Sequence, residues 1–199
     1  IAGKVGLSET AFVSTSDVAD IKLEFFTPTR QIAHCGHATI ATFSYLAHLG
    51  SLRNAQSSKE TIDGIREVQL RKDFAYMQQT APKYVDVNQY RARIALALGV
   101  SEEMFIAEPM LVNTGNSFVI VGVKDKETLA GITPEQRLIE EISESLDLIG
   151  FYVFSLETYT PGADASTRMF APRFGIPEES ATGMAAGPLA CYLYQKMGH

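Results

Sequence analysis

Two short stretches and one isolated residue carry most of the groups that could do chemistry. Glu9 lies in Leu7-Ser8-Glu9-Thr10, His34-Cys35-Gly36-His37 opens an apolar run, and Glu178-Glu179 leads through Thr182-Gly183-Met184 into a second apolar run. A carboxylate, an imidazole, a second carboxylate and two glycine-led helix starts match what moving a proton on a carboxylate-bearing small molecule requires. Helix N-termini offer unpaired N–H groups and the positive end of the helix dipole, which hold an anion. A Glu shielded from water, with its pKa raised, can then take a proton and return it.

Taken singly, each of these residues also has a plain structural reading. Glu9 could be one more surface carboxylate, and His37 could pack or cap. Cys35 is either a thiolate favoured by the helix start or a small buried side chain. Glu178 and Glu179 could merely complement the dipole of the following helix. Gly36 and Gly183 mark places where backbone comes close to something, which could be tight helix–sheet packing. The combination favours the chemical reading.

The two helix starts belong to an internal repeat. Phe26-Thr27-Pro28 followed by Cys35-Gly36-His37 in the first half corresponds to Phe170-Ala171-Pro172 followed by Thr182-Gly183-Met184 in the second. Aligning Gly36 with Gly183 also brings Tyr45-Leu46 over Tyr192-Leu193. Two related domains sharing one crevice, with Gly36 and Gly183 facing each other and Glu9 reaching in, is the arrangement this suggests.

The elements that must position these residues can be read from the pattern. A helix end is expected over 1–7, an extended segment over 8–14, and a strand over 21–26 closed by Thr27-Pro28-Thr29. Residues 38–49 are apolar around most of the circumference, which predicts a helix buried on nearly every side and ended by Gly50. Strands follow at 60–62, 65–71 and 75–79, with Asp63-Gly64 as a hairpin turn. Residues 87–98 have helical spacing before Gly99. Residues 105–112 and 117–123 are strand-like around the turn residues 113–116. Residues 134–148 read as a helix with Thr133 as N-cap and Pro134 in its first turn. A strand at 151–158, a loop at 160–166, a strand resuming at 169–170 and a second apolar helix over 182–197 complete the pass. The amphipathic segments 87–98 and 134–148 should lie outside. The expected architecture is α/β (α+β), with two similar domains, 1–104 and 105–199, each a curved, mostly antiparallel sheet wrapped around a central apolar helix.

Composition narrows the partners. The 199 residues are 46% hydrophobic and 20% charged, ordinary for a globular protein, and the net charge of −6 argues against nucleic acid. The basic cluster from Arg66 to Lys72 alternates with Glu67 and Leu70 and reads as a solvated strand face. No apolar run is long enough to span a bilayer and no signal peptide is visible, so no membrane partner is expected. Two cysteines, Cys35 and Cys191, make no disulfide scaffold, and the default is a reducing cytoplasm. Neither has a partner at metal-ligand spacing, and His34-Cys35-Gly36-His37 is too crowded for one ion, so no metal is expected. The chain begins at Ile1-Ala2-Gly3 without an initiator Met and stops just after a helix, which reads as an internal piece of something longer.

Ser8-Glu9-Thr10-Ala11-Phe12-Val13, Phe26-Thr27-Pro28, Cys35-Gly36-His37-Ala38-Thr39 and Glu178-Glu179-Ser180-Ala181-Thr182-Gly183, continued by Ala185-Ala186-Gly187-Pro188-Leu189, resemble the phenazine-biosynthesis-like (PhzF-like) isomerases of the diaminopimelate epimerase superfamily. The resemblance implies the epimerase-like two-domain fold, an active site in the cleft between the domains, a homodimer, and isomerisation of small molecules by acid/base proton transfer without cofactor or metal. It places the catalytic Glu on Glu9, the conserved His on His37, the substrate-side acid on Glu179, and the anion-facing turns on Gly36 and Gly183. Cys35, Thr182 and Met184 fall in the substrate-binding turns. Glu179 stands where the family usually has Asp, and Met184 where it usually has Ser, a lost hydrogen-bond donor. The first strand-and-turn segment and the closing strands of a full member are not in this sequence.

Two alternatives to Glu-based proton transfer remain open at this stage. One is the two-thiol racemase of the wider superfamily. Cys35 suits it, but its counterpart is Thr182, and Cys191 lies roughly 13 Å further along that helix at about 1.5 Å per residue. The other is a non-catalytic small-molecule-binding module of the same fold.

Overall fold

The computed structural model describes residues 1–52, 54–71, 74–179 and 182–198. Lys72 of the basic cluster, Ser180 and Ala181 of the second motif, and the terminal His199 lie outside the described residues. The chain separates into two compact units, Ile1–Thr80 and Ala81–His199. This break comes earlier than the expected one after residue 104, for a reason that lies in segment 81–104. Lys83–Asp86 pairs with Met110–Asn113, and Ile94, Ala97 and Leu98 share one core with Val119 and Phe151. Turn residues near 100–112 mark loops without showing which sheet the preceding strand joins.

The first unit contains α1 (Ala2–Val5), β1 (Thr10–Ser14), β2 (Ile21–Phe26), β3 (Gln31–Ile32), α2 (Gly36–His48), β4 (Gln56–Thr61), β5 (Gly64–Arg71) and β6 (Phe74–Met77). The sheet order is β1-β2-β4-β5-β6 with β3 paired to β2, and every pairing except β2 with β4 is antiparallel. Helix α2 packs on β1 and also on β5 and β6, strands from opposite edges of that sheet. Strands lie about 4.8 Å apart and a helix is about 10 Å across, so it reaches both edges only if the sheet curls around it. That is the expected architecture.

Three details differ from expectation. The hairpin pairs Thr61 with Gly64, so its loop is Ile62-Asp63, one residue earlier than Asp63-Gly64. Strand β4 starts at Gln56 rather than near residue 60, because its inward residues are Ser57, Lys59 and Thr61. An alternation without apolar members leaves no hydropathy signal. Within α2 only Gly36, Thr39 and Phe43 are buried, a single stripe at helical spacing, while Tyr45 is 62% exposed. The apolar helix is therefore covered on one side, not nearly all round. An evenly apolar helix gives no periodicity from which to read the buried face.

The second unit contains β7 (Lys83–Asp86), α3 (Arg91–Leu98), β8 (Met110–Asn113), β9 (Ser117–Gly122), α4 (Lys126–Gly131), α5 (Gln136–Ser145), β10 (Gly150–Ser155), β11 (Ser166–Ala171), β12 (Ile176–Glu179) and α6 (Gly183–Tyr192), with a π-helical turn continuing to Met197. The order β12-β11-β10-β9-β8-β7 is antiparallel except between β9 and β10. Those two strands are covered on both faces. Val119, Val121, Phe151 and Val153 face a core shared with α3 and α5. Phe118, Ile120, Tyr152 and Phe154 join Ala185, Leu189 and Tyr192 of α6. The period-2 alternation sorts one apolar run onto two cores. As in α2, the buried residues of α6, namely Ala185, Pro188, Leu189 and Tyr192, form one stripe.

The N-cap of α5 is Glu135, whose carboxylate accepts from the N–H groups of Arg137 and Leu138. Thr133, the expected cap, instead packs against Gly99, where an added Cβ would come within 2.6 Å of its hydroxyl oxygen. Gly150 is packed more tightly still. A Cβ there would overlap the Phe170 carbonyl oxygen and sit 2.9 Å from the Ala171 Cα, both main-chain atoms of the neighbouring strand. Gly150→Ala is expected to destabilise the protein by about 3 kcal/mol or more, read as a lowered denaturant midpoint. Gly131→Ala, where nothing lies within 4 Å of the added methyl, should leave the midpoint unchanged or slightly raised.

Candidate active site

The internal repeat is also a repeat of backbone geometry. Cys35, the N-cap of α2, has φ −142° and ψ 118°, and Thr182, the N-cap of α6, has φ −142° and ψ 108°. Neither N-cap side chain caps its helix. In each case the cap carbonyl accepts from the residue four positions on, Thr39 and Ala186 respectively. Both helices therefore open with first-turn N–H groups that no cap side chain satisfies, and such groups serve an anion. A Cβ built on Gly183 would meet nothing within 4 Å, so close packing does not explain that glycine.

Three of the expected residues come together in the first unit. The Nε2 atom of His37 lies 3.3 Å from Oε2 of Glu9, and Sγ of Cys35 lies 3.8 Å from Nε2 and 3.9 Å from Nδ1 of the same ring. Glu9 immediately precedes β1, and its side chain is only 11% exposed, whereas that of His37 is 53% exposed. Oε2 of Glu9 is fully covered and has no hydrogen-bond partner. The contact with His37 is thus a close ion pair in which the ring N–H is not aimed at the oxygen. Even so, His37 holds the Glu9 carboxyl below its ordinary range, outweighing burial, and the Ser8 hydroxyl adds to the effect. In turn the Cys35 sulfur first, and the Glu9 carboxylate second, push His37 up to about 10. The expectation of a raised Glu9 pKa is overturned, because a cation at this distance outweighs desolvation.

Beneath the start of α2 lies a second polar cluster that the sequence pattern does not reveal. Lys59 of β4 is 0% exposed. Its ammonium donates to Thr39 Oγ1 at 2.8 Å, lies 3.3 Å from Nδ1 of buried His34, and sits 5.0 Å from the centre of the Phe25 ring. Thr39 passes the connection on, donating to the Cys35 carbonyl at 2.6 Å. A buried cation is tolerated only when met in this way. Burial pushes Lys59 down to about 8. Burial first, and the neighbouring Lys59 second, push His34 down to about 4. A neutral His34 can accept through Nδ1, the role this geometry gives it.

The remaining expected residues lie at the junction of β12 and α6. Glu178 is tied by both oxygens to Arg168, at 2.7 and 2.8 Å, and that Arg also donates to the carbonyls of Leu129 and Ile132. Its role is structural. Glu179 is half-buried and stands opposite Met169 in the β11–β12 pairing. The sulfur of Met184 accepts a weak contact from the Asn116 amide at 3.6 Å. Cys191 is a free thiol, and its carbonyl accepts from the Tyr84 hydroxyl at 3.1 Å.

The profile of the PhzC-PhzF family, described as phenazine biosynthesis-like protein, matches residues 1–199. The chain belongs to this family. It is 32% identical over 201 residues to the uncharacterized isomerase YfhB of Bacillus subtilis (strain 168), covering 97% of this chain and 69% of that protein. It is 29% identical over 201 residues to the trans-2,3-dihydro-3-hydroxyanthranilate isomerase of Pseudomonas fluorescens, covering 97% of this chain and 67% of that one. A crystal structure of a Bacillus anthracis phenazine biosynthesis protein of the PhzF family superposes with a TM-score of 0.87 at 30% identity, covering 98% of this chain and 68% of the other. As a member of this family the protein is an isomerase with an epimerase-like α+β fold. Among the described residues, no helix is long and apolar enough to cross a membrane.

The Lys59–His34 cluster makes stability depend on pH with a definite sign. Between about 6.5 and about 4 the unfolded chain binds a proton at His34 that the folded protein refuses, so stability falls as pH drops through that window. The expected loss is on the order of 2 kcal/mol, measured by urea unfolding at pH 7 and pH 4.5. His34→Asn should flatten that part of the profile. A profile of equal slope in the variant would show that His34 is not the group responsible.

Proposed function

We propose that this member of the family is a cofactor-independent isomerase that moves a proton between carbons of a small carboxylate-bearing metabolite, with Glu9 as the general base and then the general acid. The observation that carries the reading is the shielded Glu9 carboxylate, held ionised 3.3 Å from His37 and carrying one oxygen without a hydrogen-bond donor. A base must begin deprotonated, and Glu9 does. Its low pKa makes it a weak base at rest. Substrate binding supplies the remedy: a substrate carboxylate drawn to the His37 imidazolium and the α2 N–H groups shares the cation that now acidifies Glu9. Water leaves at the same time, and both changes strengthen the carboxylate as a base.

In the proposed sequence Glu9 takes a proton from a carbon next to a carbonyl or an unsaturated carbon, and delivers it to another carbon of the same molecule. No oxidant, reductant or co-substrate is needed. His37 balances the negative charge that develops, and Gly36 with Cys35 forms the anion-binding turn. Glu179, Thr182, Gly183 and Met184 are assigned to substrate through the internal repeat and the family motif. The trans-2,3-dihydro-3-hydroxyanthranilate of the Pseudomonas fluorescens relative's name is the first compound to try, because it carries a carboxylate beside a ring with a movable hydrogen.

One observation favours a second reading. Cys35 sits against His37 and at the start of α2, which places a thiol beside the proposed proton-transfer groups. Its counterpart in the repeat is Thr182, which leaves a two-thiol mechanism with one thiol where it needs two.

Deuterium incorporation in heavy water separates the readings. With a substrate that binds by calorimetry, Glu9→Gln should slow exchange into carbon by about a thousandfold, while Cys35→Ser stays within about tenfold of the parent. Exchange that survives Glu9→Gln but disappears in Cys35→Ser would establish the thiol route. Binding without exchange for every carboxylate tried would leave a binding module.

A further inference from the structure

The first unit holds a polar chain that the proposed proton transfer does not use. The ammonium of Lys59, with no exposure, meets the Thr39 hydroxyl at 2.8 Å, Nδ1 of His34 at 3.3 Å and the face of the Phe25 ring, 5.0 Å from its centre. An ammonium can only donate, so Thr39 Oγ1 accepts from it. The one hydroxyl proton of Thr39 is then left for the Cys35 carbonyl, 2.6 Å away. The direction of both bonds is fixed, and a charged donor strengthens the bond that follows it. Among the charged groups nearby, Asp63 favours the ammonium while itself ion-paired to Arg66 at 2.9 Å, and Arg66 opposes it.

The internal repeat supplies a control. Cys35 corresponds to Thr182, His37 to Met184 and Thr39 to Ala186. Helix α6 reaches nearly the same N-cap angles, and its Thr182 carbonyl accepts from the Ala186 N–H at 3.3 Å, with no hydroxyl at that position. A helix start of this shape therefore does not require the Lys59–Thr39 chain. Filling the Lys59 position does not require a charge either, since a buried ammonium is tolerated rather than favoured beside an apolar chain of similar length. What the first start has and the second lacks is an imidazole, His37, standing against Glu9 and Cys35.

We propose that Lys59 and Thr39 are positioning residues for His37: by holding the Cys35 carbonyl they keep the first turn of α2, and with it the His37 ring, in register with Glu9. Lys59 acts through Thr39, and Thr39 through the main chain. The catalytic consequence rests on the roles proposed above for Glu9 and His37, whereas the positioning itself is read on the protein without substrate.

The measurement is an NMR titration of the His37 ring in the intact protein, assigned with His37→Gln. The parent ring is expected to titrate at about 10. Lys59→Met combined with Thr39→Val removes both ends of the first bond with side chains of similar volume, so no ammonium is left unmet. His37 then draws away from Cys35 and Glu9, and its titration should fall by about one pH unit or more toward 6.5. Loss of the Lys59 charge alone acts with the opposite sign, because removing a nearby cation raises an imidazole. Thr39→Ser, which keeps the hydroxyl, should titrate like the parent, and Thr39→Ala should fall. Circular dichroism checks that each variant is folded; if the double variant is not, Thr39→Ala against Thr39→Ser decides. A His37 titration that rises or stays in place in the folded double variant or in Thr39→Ala, or that falls equally in Thr39→Ser, would overturn the positioning. Where the parent shows heavy-water exchange, the double variant should lose about tenfold or more in kcat, with KM changed less. An unchanged kcat beside a displaced His37 titration would overturn the catalytic consequence. A parent without exchange on any carboxylate that binds would count against the isomerase reading and leave the titration to judge the positioning.

Discussion

Lys59 has no contact with solvent, so its ammonium has to be met by groups inside the first unit, and that requirement organises everything above it. Thr39 accepts from the lysine and donates to the Cys35 carbonyl, while His34 stays neutral and turns Nδ1 toward the same ammonium. These bonds anchor both sides of the turn that starts α2. The held Cys35 carbonyl leads directly into Gly36 and His37, whose Nε2 lies 3.3 Å from Glu9 beside β1. Replacing one partner would leave a buried charge or a buried acceptor unmet, which is costlier than losing an exposed bond. The polar floor thus holds the turn that carries Cys35 and His37 through the Cys35 carbonyl.

The electrostatics of the reactive cluster follow from proximity more than from burial. Burial alone would raise Glu9 and lower His37, but His37 opposes the first shift, and Cys35 and then Glu9 oppose the second. The resting site is therefore an ion pair with a thiol beside it. Such a pair suits a carboxylate that must begin ionised.

Some of this was legible in the residues and some was not. The paired helix starts were readable, since the glycines and flanking motifs recur in order, and the structure shows nearly equal N-cap angles at Cys35 and Thr182. Glu9, Cys35 and His37 were readable as candidates by type. Their mutual distances were not, because Glu9 and His37 are 28 positions apart in the chain. The Glu9 pKa was misjudged for the same reason: its direction depends on which neighbour stands close. Lys59 went unseen because β4 turns Ser57, Lys59 and Thr61 inward, a polar alternation that reads as a solvated strand. Segment 81–104 was placed with the wrong unit because β7 joins its sheet through backbone hydrogen bonds to β8, which any sequence can make.

What the sequence by itself determined was the family, the alternation that sorts β9 and β10 onto two cores, and the chemical types available at the two helix starts. These are carried by side-chain identity and short-range spacing, both complete in the linear chain. Tertiary structure alone decided which faces of α2 and α6 are covered, which buried groups meet Lys59, and whether Glu9 would be acidified or made basic. Each of these depends on distances between residues far apart in the chain, and electrostatic and packing energies change steeply over the few ångströms that only folding sets.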